Sequence, residues 1–321
     1  PHISPHDNDD FGKFSECACN WRPTRLQCAA EVRKNRKSLW GNAMIRVLIT
    51  DKLAKEGIDL LNSIDGVEAV VKTGVSEAEL AGMIGEYDGL IIRSDTKVTA
   101  KVLANPGKLK GVARAGVGVD NIDVAAATRQ GVLVLNTPGG NTLSAAEHTM
   151  ALMLAMSRNV VPACNSLKGG AWDRKKYMGN QLNNKVLGLI GLGRIGLAVA
   201  GMAKGFNMKI LGYDPLAAPA NADKLGIEVT EDLTRVFKES DYISVHVPKN
   251  EQTMNMIGAA QIEMMKPTVR LVNCARGGII NEDALYDALS RRRIAGAALD
   301  VFPKEPPENK RFAECESGGY R

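Results

Sequence analysis

Gly191-Leu192-Gly193-Arg194-Ile195-Gly196 carries glycines at the spacing G-x-G-x-x-G. That spacing suits a turn that receives a pyrophosphate. Gly191 allows the tight bend, Gly193 lets backbone approach the phosphates, and Gly196 lets the next helix pack close to its strand. A lone glycine turn is a weak signal, but the apolar run Val186–Ile190 precedes this one and a helical pattern follows it. The start of that helix offers unpaired N–H groups and a positive dipole end to an anion. A second apolar run, Lys209–Tyr213, ends in Asp214, 18 residues after Gly196. A carboxylate near this offset can bind both ribose hydroxyls of an adenosine. No Lys or Arg follows Asp214 until Lys224. Nothing nearby invites a 2′-phosphate, so the expected cofactor is NAD in preference to NADP.

These residues need elements to hold them. From Met44 the pattern alternates strand and helix. Strands are expected at 45–50, 67–71, 89–93, 111–115 and 132–135. Helices are expected at 76–85 and over a segment placing Leu53, Gly57, Leu61 and Ile64 on one face. Asn136–Gly140 is a turn-rich break and a plausible hinge. Ser144 and Glu147 have capping-box spacing, which predicts a helix from there to about Arg158. Further strands are expected at 186–190, 209–213, 242–247, 270–273 and 295–300. The helix after the glycine turn should carry Ile195, Val199, Met202 and Phe206 on one face. Such alternation implies an α/β fold with two doubly wound parallel-sheet domains. The expected division is a leader at 1–43, a substrate-binding domain at 44–140 and a dinucleotide-binding domain at 141–321. Residues 1–43 mix Pro, His, Asp, Cys and Arg without period, and are expected to be a disordered or non-native leader.

Composition narrows the class. The chain has 321 residues, 45% hydrophobic and 24% charged, with a net charge of +5. Its basic clusters, Arg174-Lys175-Lys176 and Arg291-Arg292-Arg293, are too short to argue for nucleic acid. No apolar run reaches the ~18 residues of a membrane span, and no secretory signal opens the chain, so a cytoplasmic location is expected. The six cysteines show no zinc-like spacing, and no metal site is expected. Cys164 and Cys274 read as small buried side chains.

Several separated motifs resemble the D-2-hydroxyacid dehydrogenases over about residues 44–316. Val272–Gly278 is similar to the family's catalytic-arginine motif. Gly296–Phe302 with Glu305-Pro306-Pro307 is similar to its catalytic-glutamate motif. Arg93–Thr99, Arg114–Asp123 and Trp172–Lys176 resemble the branch of the family that acts on 3-phosphoglycerate. The resemblance implies a flavodoxin-like substrate domain, a Rossmann NAD domain, and NAD-dependent oxidation of 3-phosphoglycerate to 3-phosphohydroxypyruvate. In that scheme Arg276 grips the substrate carboxylate or carbonyl, since a guanidinium pairs with two planar oxygens. Glu305 orients a histidine base and raises its pKa. The backbone of Gly116, Val117 and Gly118 binds the substrate carboxylate, Arg93 reaches a phosphate, and Asn141 lines the cleft. Arg174 and Lys175 add positive charge, from a second subunit in one arrangement. Arg194, Ile195, Val247, Pro248, Thr253, Cys274 and Asp300 join Gly191, Gly193, Gly196 and Asp214 at the cofactor. A homodimer or homotetramer is expected.

The sequence departs from the family at one point. The family's histidine lies in a Pro-His-Leu-Gly-like motif after the glutamate segment. Here the four histidines are His2, His6, His148 and His246, all before Arg276. This reads as a truncated or frame-disrupted product with impaired turnover. His246, at a strand end by the expected cleft, is a contact for the cofactor rather than a replacement base, and His148 reads as helix filling. Two alternatives stay open: another 2-hydroxy acid such as glyoxylate or hydroxypyruvate as substrate, and an NAD-binding protein without turnover.

Overall fold

The computed structural model describes residues 44–214, 222–307, 312 and 319–320. The proposed leader at 1–43 lies outside them. The chain divides into two compact units between Thr137 and Pro138, inside the turn-rich segment.

In the first unit the elements are β1 (Ile45–Ile49), α1 (Lys55–Asn62), β2 (Val67–Val71), α2 (Glu77–Met83), β3 (Gly89–Ile92), β4 (Gly111–Arg114), α3 (Val124–Arg129) and β5 (Leu133–Asn136). The five strands are parallel in the order β2-β1-β3-β4-β5. That is the flavodoxin-like order. Leu48, Leu90, Ile92 and Val112 meet Leu80, Ile84 and Ala127 in one core. Helix α2 starts at Ser76, whose side chain accepts from the Glu79 N–H while Glu79 accepts from the Ser76 N–H. Helix α1 is shorter than its apolar period suggests. Leu53 and Ile64 fall outside it, because Ala54 is already extended and Ser63 closes the helix.

The second unit contains α4 (Thr142–Ser157), α5 (Val160–Lys168), β6 (Val186–Ile190), α6 (Arg194–Lys204), β7 (Lys209–Tyr213), β8 (Glu228–Val229), α7 (Leu233–Glu239), β9 (Tyr242–Val245), α8 (Ala259–Met264), β10 (Arg270–Asn273), α9 (Glu282–Ser290), β11 (Gly296–Leu299) and β12 (Gly319–Tyr320). Its parallel sheet runs β12-β11-β10-β9-β6-β7-β8. Counted from β6 this is the Rossmann order, with the strand order reversing between β6 and β9. Both faces are buried. Ile190, Ile243 and Val245 face one core, while Leu187, Leu189 and Val272 face the other.

Three local readings are corrected here. Helix α4 begins at Thr142 after Asn141, and Ser144 sits inside its first turn with its hydroxyl donating to the Asn141 carbonyl. The S-x-x-E pattern is therefore not the cap. Helix α6 stops at Lys204, so Phe206 lies beyond it and is 40% exposed. Cys164 is exposed on α5 rather than buried.

Candidate functional site

The glycine turn closes β6 and opens α6. Gly191 has φ +100°, and a Cβ there would lie 2.7 Å from the His246 carbonyl carbon. A Cβ on Gly196 would lie 2.1 Å from the Gly191 oxygen. Both positions are closed to a side chain. A Cβ on Gly193 would meet nothing within 4 Å. That open space borders the start of α6, whose first N–H groups have no partner within the helix. The arrangement fits a dinucleotide pyrophosphate. Arg194 is exposed and donates to the Pro138 carbonyl at 3.3 Å. Ile195 is partly buried beside the turn.

Asp214 follows β7. Its Oδ2 accepts from the Leu192 N–H at 2.7 Å, which ties the carboxylate to the glycine turn. Past β9 the backbone makes a tight loop. Thr253, 6% exposed, donates to the Pro248 carbonyl at 2.7 Å and accepts from the Asn250 N–H at 2.9 Å. Val247 is buried beside it. His246 is partly buried beneath the glycine turn, with Nε2 2.9 Å from the Ser244 hydroxyl. Burial lowers its pKa to about 4. It is neutral at ordinary pH and fills space under the turn.

Arg276 sits in a loop that β10 delivers. Asn273, 2% exposed, organises that loop from inside: its Oδ1 accepts from the Ala275 N–H at 3.0 Å and its Nδ2 donates to the Arg276 carbonyl at 2.9 Å. Arg276 Nη1 donates to the Ala275 carbonyl at 2.7 Å. A Cβ on Gly277 would lie 1.9 Å from the Phe302 carbonyl carbon. The loops after β10 and β11 therefore touch backbone to backbone. Glu305 is on the second loop and accepts from the Phe302 N–H at 3.0 Å. Arg276 and Glu305 thus occupy adjoining loops at the C-terminal ends of neighbouring strands, on the edge of the sheet that bears the glycine turn. Cys274 and Asp300 flank them. Burial, with the Asp300 charge adding to it, raises the Cys274 thiol to about 11 against a hydrogen bond with Thr149. The thiol stays protonated.

In the first unit, Asp51 is buried and accepts from the N–H groups of Arg93 and Thr96. The Arg93 side chain is exposed and donates to the Lys52 carbonyl at 3.3 Å. Arg114 binds the Gly118 carbonyl and, at 3.2 Å, the Arg93 carbonyl. Asn136 donates to the Val117 carbonyl at 2.6 Å, and the Thr137 N–H to that of Gly116 at 2.9 Å. All three carbonyls of the 116–118 loop face the protein, and no described residue accepts from the N–H of Val117 or Gly118. An anion is the natural partner of such a loop.

Asn141 precedes α4 and is exposed. Arg174 and Lys175 line an open surface hollow with Trp172, Asp173 and Lys176. Within the second unit no described contact joins that hollow to Arg276 or Asp214. Among the described residues there is no metal-ligating cluster, and no helix is long and apolar enough to cross a membrane.

The sequence model of the D-isomer specific 2-hydroxyacid dehydrogenase NAD binding domain matches residues 150–317. The chain belongs to that family. It is 48% identical over 271 residues to a D-3-phosphoglycerate dehydrogenase of Synechocystis, covering 84% of this chain and 48% of the relative. It is 45% identical over 271 residues to the enzyme of that name from Sus scrofa, with 84% and 50% covered. The chain therefore spans about half the length of the curated relatives it matches. Among solved structures, the TT0316 protein of Thermus thermophilus is 33% identical with TM-score 0.78, covering 86% of this chain and 88% of that one. The D-lactate dehydrogenase of Aquifex aeolicus, complexed with NAD and lactic acid, is 29% identical with TM-score 0.74, covering 85% and 86%.

For a 2-hydroxyacid dehydrogenase with an NAD domain, the geometry adds residues that the sequence reading did not single out. Asn273 and Arg114 were visible only as letters inside motifs. Their work is side-chain to backbone bonding that shapes a loop, and it leaves no spacing signal. His148, on helix α4, places its Nε2 3.3 Å from Asp300 Oδ1.

Proposed function

We propose that this chain carries out the NAD-dependent oxidation of 3-phosphoglycerate to 3-phosphohydroxypyruvate. The observation that carries the reading is the close approach of Gly277 to Phe302, which brings the loops bearing Arg276 and Glu305 together on the edge that bears the glycine turn. Relatives named for this activity share 44–48% identity. Bound NAD supplies a hydride acceptor. Arg276 holds the carboxylate and the developing carbonyl by paired charge-assisted hydrogen bonds. The N–H groups of Val117 and Gly118 hold the carboxylate, and Arg93 the phosphate. Glu305 receives the proton of the reacting hydroxyl, directly or through a bridging water. His246 is not the base: its Nε2 faces the Ser244 hydroxyl and its pKa is lowered to about 4. Asp214 favours NAD over NADP. Exposed Leu143, Val160, Val161 and Leu167 on α4 and α5 support a homo-oligomer, dimer or tetramer, and the cytoplasm is the proposed compartment. The test is the purified chain with NAD and each of 3-phosphoglycerate, D-glycerate and D-lactate, read by the absorbance of reduced nicotinamide. Turnover of 3-phosphoglycerate above the other two supports the proposal; preference for an unphosphorylated acid overturns it.

A further inference from the structure

Two neighbouring residues of α4 reach the ends of two neighbouring strands. His148 Nε2 lies 3.3 Å from Asp300 Oδ1, just past β11. Thr149, fully buried, hydrogen-bonds the Cys274 thiol just past β10 while donating to the Ala145 carbonyl at 2.8 Å. The Asp300 N–H donates to the Asn273 carbonyl at 3.0 Å, so the two strand ends are also tied to each other. Only the His148–Asp300 pair remains half open, with side chains 43% and 39% exposed. Ala146, Met150 and Met153 pack the helix into the core, so it is docked without the exposed pair. The exposed pair needs another explanation.

The topology says where that pair lies. Asp214, at the end of β7, marks the adenosine side of the sheet, and β10 and β11 lie on the far side of the switch between β6 and β9. A dinucleotide seated on the glycine turn extends its nicotinamide half toward β10 and β11. Asp300 is a carboxylate at that end. A half-exposed carboxylate samples several rotamers, and each hydrogen bond it then makes to a ligand costs ordering entropy. A donor fixed on a packed helix removes part of that cost. His148 Nε2, 3.3 Å from Oδ1, makes a polar contact on that side of the carboxylate and leaves Oδ2 to accept from an amide N–H.

We propose that His148 is a positioning residue for the nicotinamide end of the cofactor: it holds Asp300 in the rotamer that receives the carboxamide. This rests on the dinucleotide reading of the glycine turn. It makes no demand on turnover.

The experiment is calorimetric titration of the full chain with NADH and separately with ADP-ribose, which lacks nicotinamide. The proteins are wild type, His148→Leu, His148→Gln and Asp300→Asn. Glutamine places an amide donor near the position of Nε2. His148→Leu should weaken NADH roughly threefold to fivefold, the range expected for one exposed polar contact to a carboxylate, and leave ADP-ribose unchanged. His148→Gln should restore most of the loss, and Asp300→Asn should lose NADH affinity selectively. If His148→Leu weakens both ligands alike or neither, while Asp300→Asn is selective, the inference falls and the dinucleotide reading stands. If wild type binds neither ligand, the dinucleotide reading falls and takes the inference with it.

Discussion

Replacing Asn273 by alanine should unfasten the Arg276 loop. The side chain is buried and makes two hydrogen bonds to backbone, one with the Ala275 N–H and one with the Arg276 carbonyl. Truncation removes the partner of both part-buried groups. Each group left unsatisfied costs about 1–3 kcal/mol, so the pair amounts to about 2–6 kcal/mol. In a unit of this size that lowers Tm by roughly 4–24 °C. Arg276 should also lose its fixed approach, and a misplacement on the order of 1 Å can reduce kcat/KM on the order of a hundredfold. Asn273→Asp keeps the acceptor for Ala275, loses the donor and sets a carboxylate against the Arg276 carbonyl. It should fall between wild type and alanine in neither property, being at least as inactive as alanine. Thermal melts, with reduction of 3-phosphohydroxypyruvate by NADH, read both effects. An Asn273→Ala protein that melts and turns over like wild type would refute the loop-fastening argument.

The glycine turn gives a sharper contrast. Gly193→Ala should fold normally, since its Cβ meets nothing within 4 Å, yet lose NAD affinity; Gly196→Ala should destabilise the fold itself, since its Cβ would sit 2.1 Å from the Gly191 oxygen. Equal melting temperatures for the two variants would contradict this. Asp214→Ala should narrow the preference for NAD over NADP, measured as a ratio of Kd values, and a wild-type chain with equal affinities would remove the premise. His246 sets a pH dependence. Its folded pKa is about 4 against an ordinary 6.5, so the unfolded chain takes the proton first as pH falls. The stability it contributes is complete above pH 6.5 and is lost as pH falls toward 4, at most about 3 kcal/mol. Denaturant titrations of wild type and His246→Asn across that window should differ in slope, and parallel curves would show that His246 does not titrate there.

Much of this was legible in the sequence because it depends on local period or fixed spacing. The strands β1, β2, β6, β7 and β10 stand where their apolar runs are, and Gly191, Gly193 and Gly196 announce their turn. Helix ends were less legible. Ser144 and Glu147 have capping spacing, but the chain from Gly139 already winds into a helix before Ser144. Helix α5 was not foreseen, since Pro162 within its first turn reads as a breaker although proline is tolerated there. At the site, the His148–Asp300 pair joins residues far apart in sequence, and Asn273 and Arg114 act on backbone carbonyls. Neither kind of contact has a sequence period.

The most direct test of the central claim is reduction of 3-phosphohydroxypyruvate by the purified chain with NADH, followed by stereochemical analysis of the product. The expected product is D-3-phosphoglycerate, formed with NADH in preference to NADPH and abolished in Arg276→Gln with NADH binding intact. The L isomer, or unchanged turnover in Arg276→Gln, would contradict it.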